Sequence, residues 1–223
     1  MKGGARIEAV AFDLDGTLID TAPDIADALN HGLLAEGLAA VAPRDARAWI
    51  GDGPDMLIQR ALDHLGVPAT APRRAALRAH FEAATLATPM ARGAVFDGMT
   101  TLLEAWCGRA PMVVVTNKPT RLSERVLEAA GVRRYFDAVH GADHPEQRKP
   151  APYLLEAAAA GLGVATAQLL MVGDSGNDLR CARAAGCPAV WVAWGYGAFA
   201  PPEGMDVQRV ESPAELGATI RIH

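Results

Sequence analysis

Two aspartates one residue apart, Asp13 and Asp15, leave an apolar run in Phe12-Asp13-Leu14-Asp15-Gly16-Thr17. Carboxylates at one strand end can point into the same crevice, where they repel unless a cation or a proton intervenes. The pair therefore invites a hard divalent ion such as Mg²⁺. Gly16 lets the chain turn sharply and aims N–H groups at an anion. A second cluster, Thr116-Asn117-Lys118-Pro119, offers a hydroxyl and an amide that can hydrogen-bond phosphate oxygens. A third, Arg148-Lys149-Pro150-Ala151-Pro152, sets the compact cation of Lys149 at the start of a predicted helix, where it can bind phosphate or neutralise a carboxylate. The fourth, Gly173-Asp174-Ser175-Gly176-Asn177-Asp178, adds Asp174 and Asp178, two carboxylates able to complete an oxygen-ligand cation site. Each cluster also has an ordinary explanation: a solvated acidic turn, a capping turn, a surface lysine, or an N-cap from Ser175 or Asn177. Taken together, acids, phosphate donors, a cation and further acids form a set suited to metal-assisted phosphoryl transfer.

Such groups must be brought to one place, and the intervening sequence predicts how. Continuous apolar runs at Ile7–Phe12, Met112–Val115, Leu169–Val172 and Ala189–Ala193, with a weaker one at Ala138–His140, read as strands buried on both faces. Helical stretches at Ser123–Ala130, Ala151–Ala160 and Asn177–Ala185 alternate with them, each followed by Gly. That alternation predicts an α/β fold with a doubly wound parallel sheet, with each polar cluster at a strand's C-terminal end, where ligands bind in such sheets. Residues 19–93 differ in kind, with no convincing strand and four amphipathic helices at Pro23–Glu36, Pro43–Ile50, Pro54–Leu65 and Pro72–Thr85. The expected organisation is a core of residues 1–18 and 94–223 carrying a small helical cap of residues 19–93.

The bulk properties set further bounds. The chain has 223 residues, 50% apolar, with a net charge of −5. An acidic balance disfavours a nucleic-acid surface but leaves room for a small anion held by a local cluster of cations and N–H groups. Three cysteines without a paired framework predict reduced thiols, with Cys181 and Cys187 as small core residues. The expectation is a soluble, cytoplasmic protein with neither signal peptide nor membrane span, acting as monomer or homodimer on a small phosphorylated substrate.

The four clusters carry a resemblance that spans essentially the whole chain. The sequence resembles the phosphatases of the haloacid dehalogenase superfamily, and within it is most similar to the phosphoglycolate phosphatase group. Phe12 to Asp24, Val113 to Pro119, Met171 to Pro188 and Trp194-Gly195-Tyr196-Gly197 carry the likeness. The resemblance implies a Rossmann-like core with a small helical cap. It implies Asp13 as the nucleophile toward phosphorus and Asp15 as general acid, then base. Asp13, the Asp15 backbone carbonyl and Asp174 would hold Mg²⁺, with Asp178 acting through water or orienting Lys149. Thr116, Asn117 and Lys149 would bind phosphoryl oxygens. Trp49-Ile50-Gly51-Asp52-Gly53 is similar to the cap loop that reaches the substrate, although two glycines can equally make a plain helix-to-helix turn.

The implied activity is Mg²⁺-dependent hydrolysis of a small phosphomonoester, 2-phosphoglycolate first, through an aspartyl-phosphate. Two stretches depart from that group's pattern: Gly141 to Gln147 is shorter and different, and Phe96-Asp97-Gly98-Met99 resembles phosphatases of amino-sugar phosphates. The alternatives are accordingly a sugar phosphate, amino-sugar phosphate or pyrophosphate as substrate, a phosphomutase of the same superfamily, and a binding module with a relict site. A dehalogenase needs neither Asp15 nor the metal-side acids.

Overall fold

A computed structural model describes residues 6–220 of the chain. Its core is a six-stranded sheet, all parallel, in the order β5-β4-β1-β6-β7-β8. The strands are β1 (Ala9–Phe12), β4 (Met112–Thr116), β5 (Ala138–Gly141), β6 (Leu169–Gly173), β7 (Ala189–Val192) and β8 (Gln208–Val210). Every residue of β1, β4, β6 and β7 is buried, which accounts for their unbroken apolar runs. The edge strand β5 is only half-buried along most of its length, and its sequence signal is correspondingly weaker. The other edge, β8, escapes the sequence reading because Gln208-Arg209-Val210 is short and mostly polar.

Alternation along the strands splits the core between the two faces of the sheet. Val10 and Phe12 of β1 join one cluster, with Met112 and Val114 of β4 and Leu170 and Val172 of β6. That face is covered by α5 (Met99–Trp106), α6 (Thr120–Ala129) and α9 (Pro213–Thr219), through Leu102, Trp106, Val126 and Leu216. Ala9, Ala11, Val113, Leu169 and Met171 face the opposite way, against α7 (Tyr153–Leu162) and α8 (Gly176–Ala185). Cys181 and Cys187 lie in this second cluster as small buried residues. Helices on both faces make the sheet doubly wound. The helix starts shift from the sequence reading by one to three residues. The largest shift opens α6 at Thr120, directly after the Thr116-to-Pro119 turn.

Between β1 and α5 the chain leaves the sheet for α1 (Ala22–Ala35), α2 (Pro43–Ala48), α3 (Pro54–His64) and α4 (Ala71–Ala87). Proline occupies the first or second position of each, where its missing N–H costs no helical bond. Ile25, Leu29, Leu33, Leu57, Ile58, Leu62, Leu77 and Phe81 form their own core, and Leu122 of α6 buries against it. One expectation is corrected here. The segment does contain a strand, β2 (Ile19–Asp20), paired antiparallel with β3 (Ala94–Val95). Two residues are too few to show a period, and the pairing exists because exit and return linkers run side by side. Asp24 ties the return linker down, accepting from the N–H groups of Ala91, Arg92 and Gly93 at 2.7–3.0 Å.

Sheet register decides which residues meet. Phe12 pairs with Val114 on one side and Val172 on the other, and Val172 pairs with Val190. The C-terminal ends of β4, β1, β6 and β7 therefore finish at one level, and the polar clusters emerge at a single rim.

Candidate active site

Lys149 lies at the centre of that rim. It sits in the turn ahead of α7, is 3% exposed, and all three donor positions of its ammonium are filled. Asp13 Oδ1 lies at 2.8 Å, Asp178 Oδ1 at 2.6 Å and the Val115 carbonyl at 2.9 Å. Burial alone would lower the lysine pKa, but the charges of Asp13 and Asp178 hold it above the ordinary value. The cation belongs to these carboxylates. It is not the positive tip of a helix, since α7 begins only at Tyr153.

Asp178 is fully buried, with both oxygens engaged. Oδ1 meets Lys149, and Oδ2 accepts from Ser175 N at 2.9 Å and Ser175 Oγ at 2.6 Å. Ser175 is the N-cap of α8 and Asp178 its third residue, so a capping box also aims the carboxylate at Lys149. Asp174, one residue past β6, accepts from Thr17 Oγ1 at 3.0 Å and from Tyr196 N at 2.7 Å. Trp191 Nε1 donates to the Asp174 carbonyl at 2.9 Å. Gly16, at φ +87°, passes so close that a Cβ there would meet Asp174 Oδ2 at 2.6 Å.

Asp13 Oδ1 also accepts from Leu14 N at 2.7 Å, while Oδ2 has no hydrogen-bond donor among the described residues. Oxygens of Asp13, Asp174 and Asp178 all lie within 4.8 Å of one another. Burial pushes the Asp13 carboxyl up, against the pull of Lys149, and Asp178 and Asp174 add repulsion. Asp174 rises to about 6, from burial first and the Asp178 charge second. Three buried carboxylates sharing one lysine are short of positive charge, and the oxygen-only donor set suits a hard divalent cation.

The neighbouring cleft is lined on one side by Asp13, Asp15, Thr116, Asn117 and Lys118, and on the other by Ile25, Ile50, Leu57 and Phe81. Thr116 Oγ1 accepts from Lys118 N at 3.2 Å, and among the described residues its O–H has no acceptor. Asp15 Oδ1 accepts from Thr21 Oγ1 at 2.6 Å and pairs with the Lys118 ammonium. The Asn117 side chain is committed to scaffolding. Its Oδ1 accepts from Lys149 N at 2.7 Å, and its Nδ2 donates to the carbonyls of Gly51 and Lys149 at 2.9 and 3.1 Å. The loop of Gly51, Asp52 and Gly53 thus docks on the core. Asn177 Nδ2 donates to Asp52 Oδ1 at 2.6 Å, and Arg148 pairs with Asp55 just beyond. Burial raises the Asp52 carboxyl, but hydrogen bonds from Asn177 and Arg60 outweigh it and hold the group below the usual range.

The structure thus brings Asp13, Asp15, Thr116, Asn117, Lys149, Asp174 and Asp178 to one rim, with Gly51, Asp52 and Gly53 above it. Lys118, Thr21, Asn177 and Tyr196 also reach the site without a local signal of it. Lys118 lies within the Thr116-to-Pro119 turn, where nothing local distinguishes it from a surface lysine. Tyr196 donates through its hydroxyl to Asp20 at 2.7 Å and accepts from Ala22 N at 3.0 Å, linking the Asp174 side to the exit linker.

A haloacid dehalogenase-like hydrolase model matches residues 7–186. The phosphoglycolate phosphatase of Photorhabdus laumondii is 38% identical over 191 residues, covering 85% of this chain and 82% of that protein. The one from Caulobacter vibrioides is 38% identical over 216 residues, covering 96% and 86%. Among solved structures, a predicted phosphoglycolate phosphatase from Haemophilus somnus superposes with a TM-score of 0.81 at 30% identity, covering 89% of this chain and 91% of that one. CbbY from Rhodobacter sphaeroides, solved in complex with phosphate, gives 0.81 at 26% identity, covering 95% and 96%. By the span of the family match and the identity of these relatives, the chain belongs to the haloacid dehalogenase-like hydrolase family.

Proposed function

We propose that the protein is a Mg²⁺-dependent phosphatase for a small phosphomonoester, 2-phosphoglycolate first, working through an aspartyl-phosphate on Asp13. The observation that carries this reading is the state of Asp13. Asp13 lines the cleft, one of its oxygens is held by Lys149 and Leu14 N, and the other has no donor among the described residues. The choice of 2-phosphoglycolate is supported by the phosphoglycolate phosphatases among the relatives.

Asp13 Oδ2 attacks phosphorus in line while the ester P–O bond breaks, and Asp15, protonated, gives its proton to the leaving alkoxide. Water then attacks the acyl-phosphate phosphorus and yields a proton to the Asp15 carboxylate. The P–O bond to Asp13 breaks, releasing inorganic phosphate and restoring both aspartates. Thr116 O–H donates to a phosphoryl oxygen, and Lys149 offsets the repulsion between the two anions. Asp13, Asp174 and the Asp15 carbonyl are the groups that would hold Mg²⁺, whose charge neutralises the phosphoryl oxygens. Asp178 orients Lys149. Residues 19–93 act as a cap whose apolar side chains exclude water from the cleft. That wall gives few partners to sugar hydroxyls, which favours a phosphatase of small substrates over a phosphomutase.

The test is phosphate release over a panel of 2-phosphoglycolate, pyrophosphate and amino-sugar phosphates, with Mg²⁺ and with EDTA. Metal-dependent release led by 2-phosphoglycolate is expected, with phosphate label on acid-denatured enzyme discharged by hydroxylamine. Turnover persisting in Asp13→Asn would remove the mechanism. A low rank for 2-phosphoglycolate would remove the substrate.

A further inference from the structure

The cleft is lined by a cation, Lys118, that the steps proposed at Asp13 do not bring to the phosphoryl group. Lys118 follows Thr116 and Asn117 in the turn after β4, is 5% exposed, and lines the cleft. Its ammonium has a single acceptor among the described residues, Asp15 Oδ1. Lys149 has three protein oxygens within 2.9 Å, whereas two donor positions of Lys118 have no acceptor among the described residues. The Asp15 oxygen that it meets already takes a hydrogen bond from Thr21 at 2.6 Å. Across the cleft stand Ile25, Ile50, Leu57 and Phe81, which have nothing to give an ammonium. Among the described residues lining the cleft, Lys118 is the one cation. An ammonium so little hydrated and so incompletely paired is costly to keep unless a further anion joins it.

We propose that Lys118 determines specificity, its ammonium pairing with a second anionic group of the substrate, a carboxylate on a short spacer from the phosphoryl group. This rests on the phosphatase reading and assigns a residue to its substrate preference. The spacer is short because Lys118 lines the same cleft as Asp13 and Thr116, the residues proposed to meet the phosphoryl group. A phosphomonoester without the second charge leaves the ammonium facing hydrocarbon. A site built to pair a polar group rejects the analogue lacking it far more strongly than a site that merely fits a shape.

The test compares kcat/KM for 2-phosphoglycolate and for ethyl phosphate, which replaces the carboxylate by a methyl group, in wild type, Lys118→Met and Lys118→Arg. The wild-type ratio is expected to exceed about tenfold, to fall by about tenfold in Lys118→Met mainly through KM, and to survive largely in Lys118→Arg. Both substrates are measured on one sample, so any loss of folded protein cancels in the ratio. An equal fall for both in Lys118→Met would overturn the proposal, because Lys118 would then act on Asp15 alone. With 3-phosphoglycerate as third substrate the two readings separate. Poor turnover of 2-phosphoglycolate with Lys118-dependent turnover of 3-phosphoglycerate supports the role of Lys118 and removes the substrate name. Good turnover of 2-phosphoglycolate with a ratio indifferent to Lys118→Met removes the role and leaves the phosphatase reading standing.

Discussion

Lys149 Nζ lies 2.8 Å from Asp13 Oδ1, joining a turn before α7 to the end of β1 in a contact almost wholly out of water. The same ammonium holds Asp178 at 2.6 Å. One cation therefore fixes the carboxylate proposed to react and is itself aimed by a capping box.

Removing that cation leaves two buried carboxylates without a counter-charge. Lys149→Met is expected to abolish phosphate release and to lower stability by about 3–5 kcal/mol, the usual cost of breaking a buried ion pair from one side. Urea unfolding measured without metal checks the stability, and phosphate release checks the activity. Lys149→Arg is expected to restore little, because a planar guanidinium cannot meet three oxygens arranged around a point.

Metal removal and pH are coupled through Asp13 and Asp174. Both carboxyls are raised by burial and by neighbouring carboxylates, Asp174 to about 6. Between the ordinary carboxyl range and those values the folded state binds more protons than the unfolded one, so without metal their contribution falls as pH rises. A divalent cation needs the deprotonated forms and reverses that trend. The difference in Tm between excess Mg²⁺ and EDTA should widen from about pH 5 to about pH 8. A constant difference would place the metal elsewhere.

Asp13→Asn removes one of three clustered negative charges while keeping the shape. Activity is expected to drop by at least about a thousandfold, whereas Tm in EDTA near neutral pH should rise or hold, since a repulsive buried charge has gone. Thermal melts alongside p-nitrophenyl phosphate assays distinguish a lost nucleophile from a lost fold.

The docked loop of Gly51 to Gly53 predicts coupling across the cleft. Asp52→Ala and Asn177→Ala each break the 2.6 Å contact between that loop and α8. Each is expected to raise KM by a few-fold, and the double variant should be little worse than either. The coupling energy in a double-mutant cycle should then be about 0.5–1 kcal/mol, close to the effect of either single variant. Additive effects would mean that the contact does not govern closure.

The two buried thiols set an alkaline limit. Burial pushes Cys181 and Cys187 each up to about 12. The unfolded chain therefore ionises first, and the stability these thiols contribute declines as pH rises above about 9. Cys107 is exposed and should react with a thiol reagent at once, the other two only on unfolding. Cys181→Ala should flatten part of the alkaline decline.

Much of this protein is written locally. The strands β1, β4, β6 and β7 declare themselves because burial on both faces demands unbroken apolar runs, and each ends in a polar turn that the same short window contains. The four helices of the 19–93 segment show in their period and their prolines. Acids, hydroxyl and lysine could be named from those windows, since a carboxylate at a strand end keeps its chemistry whatever it meets later.

What it meets was decided by the tertiary structure. Strand order β4-β1-β6 places Lys149 between Asp13 and Asp178, and sets Lys118, which read as an ordinary turn residue, against Asp15. Asn117, legible as a phosphate donor, has its side chain drawn instead to Lys149 and Gly51. The β2–β3 pair and the Asn177–Asp52 contact depend on linkers and loops far apart in the chain. Periodicity reports which face of an element is buried. Which charge a buried charge faces is a property of strand order and register, and no window of sequence contains it.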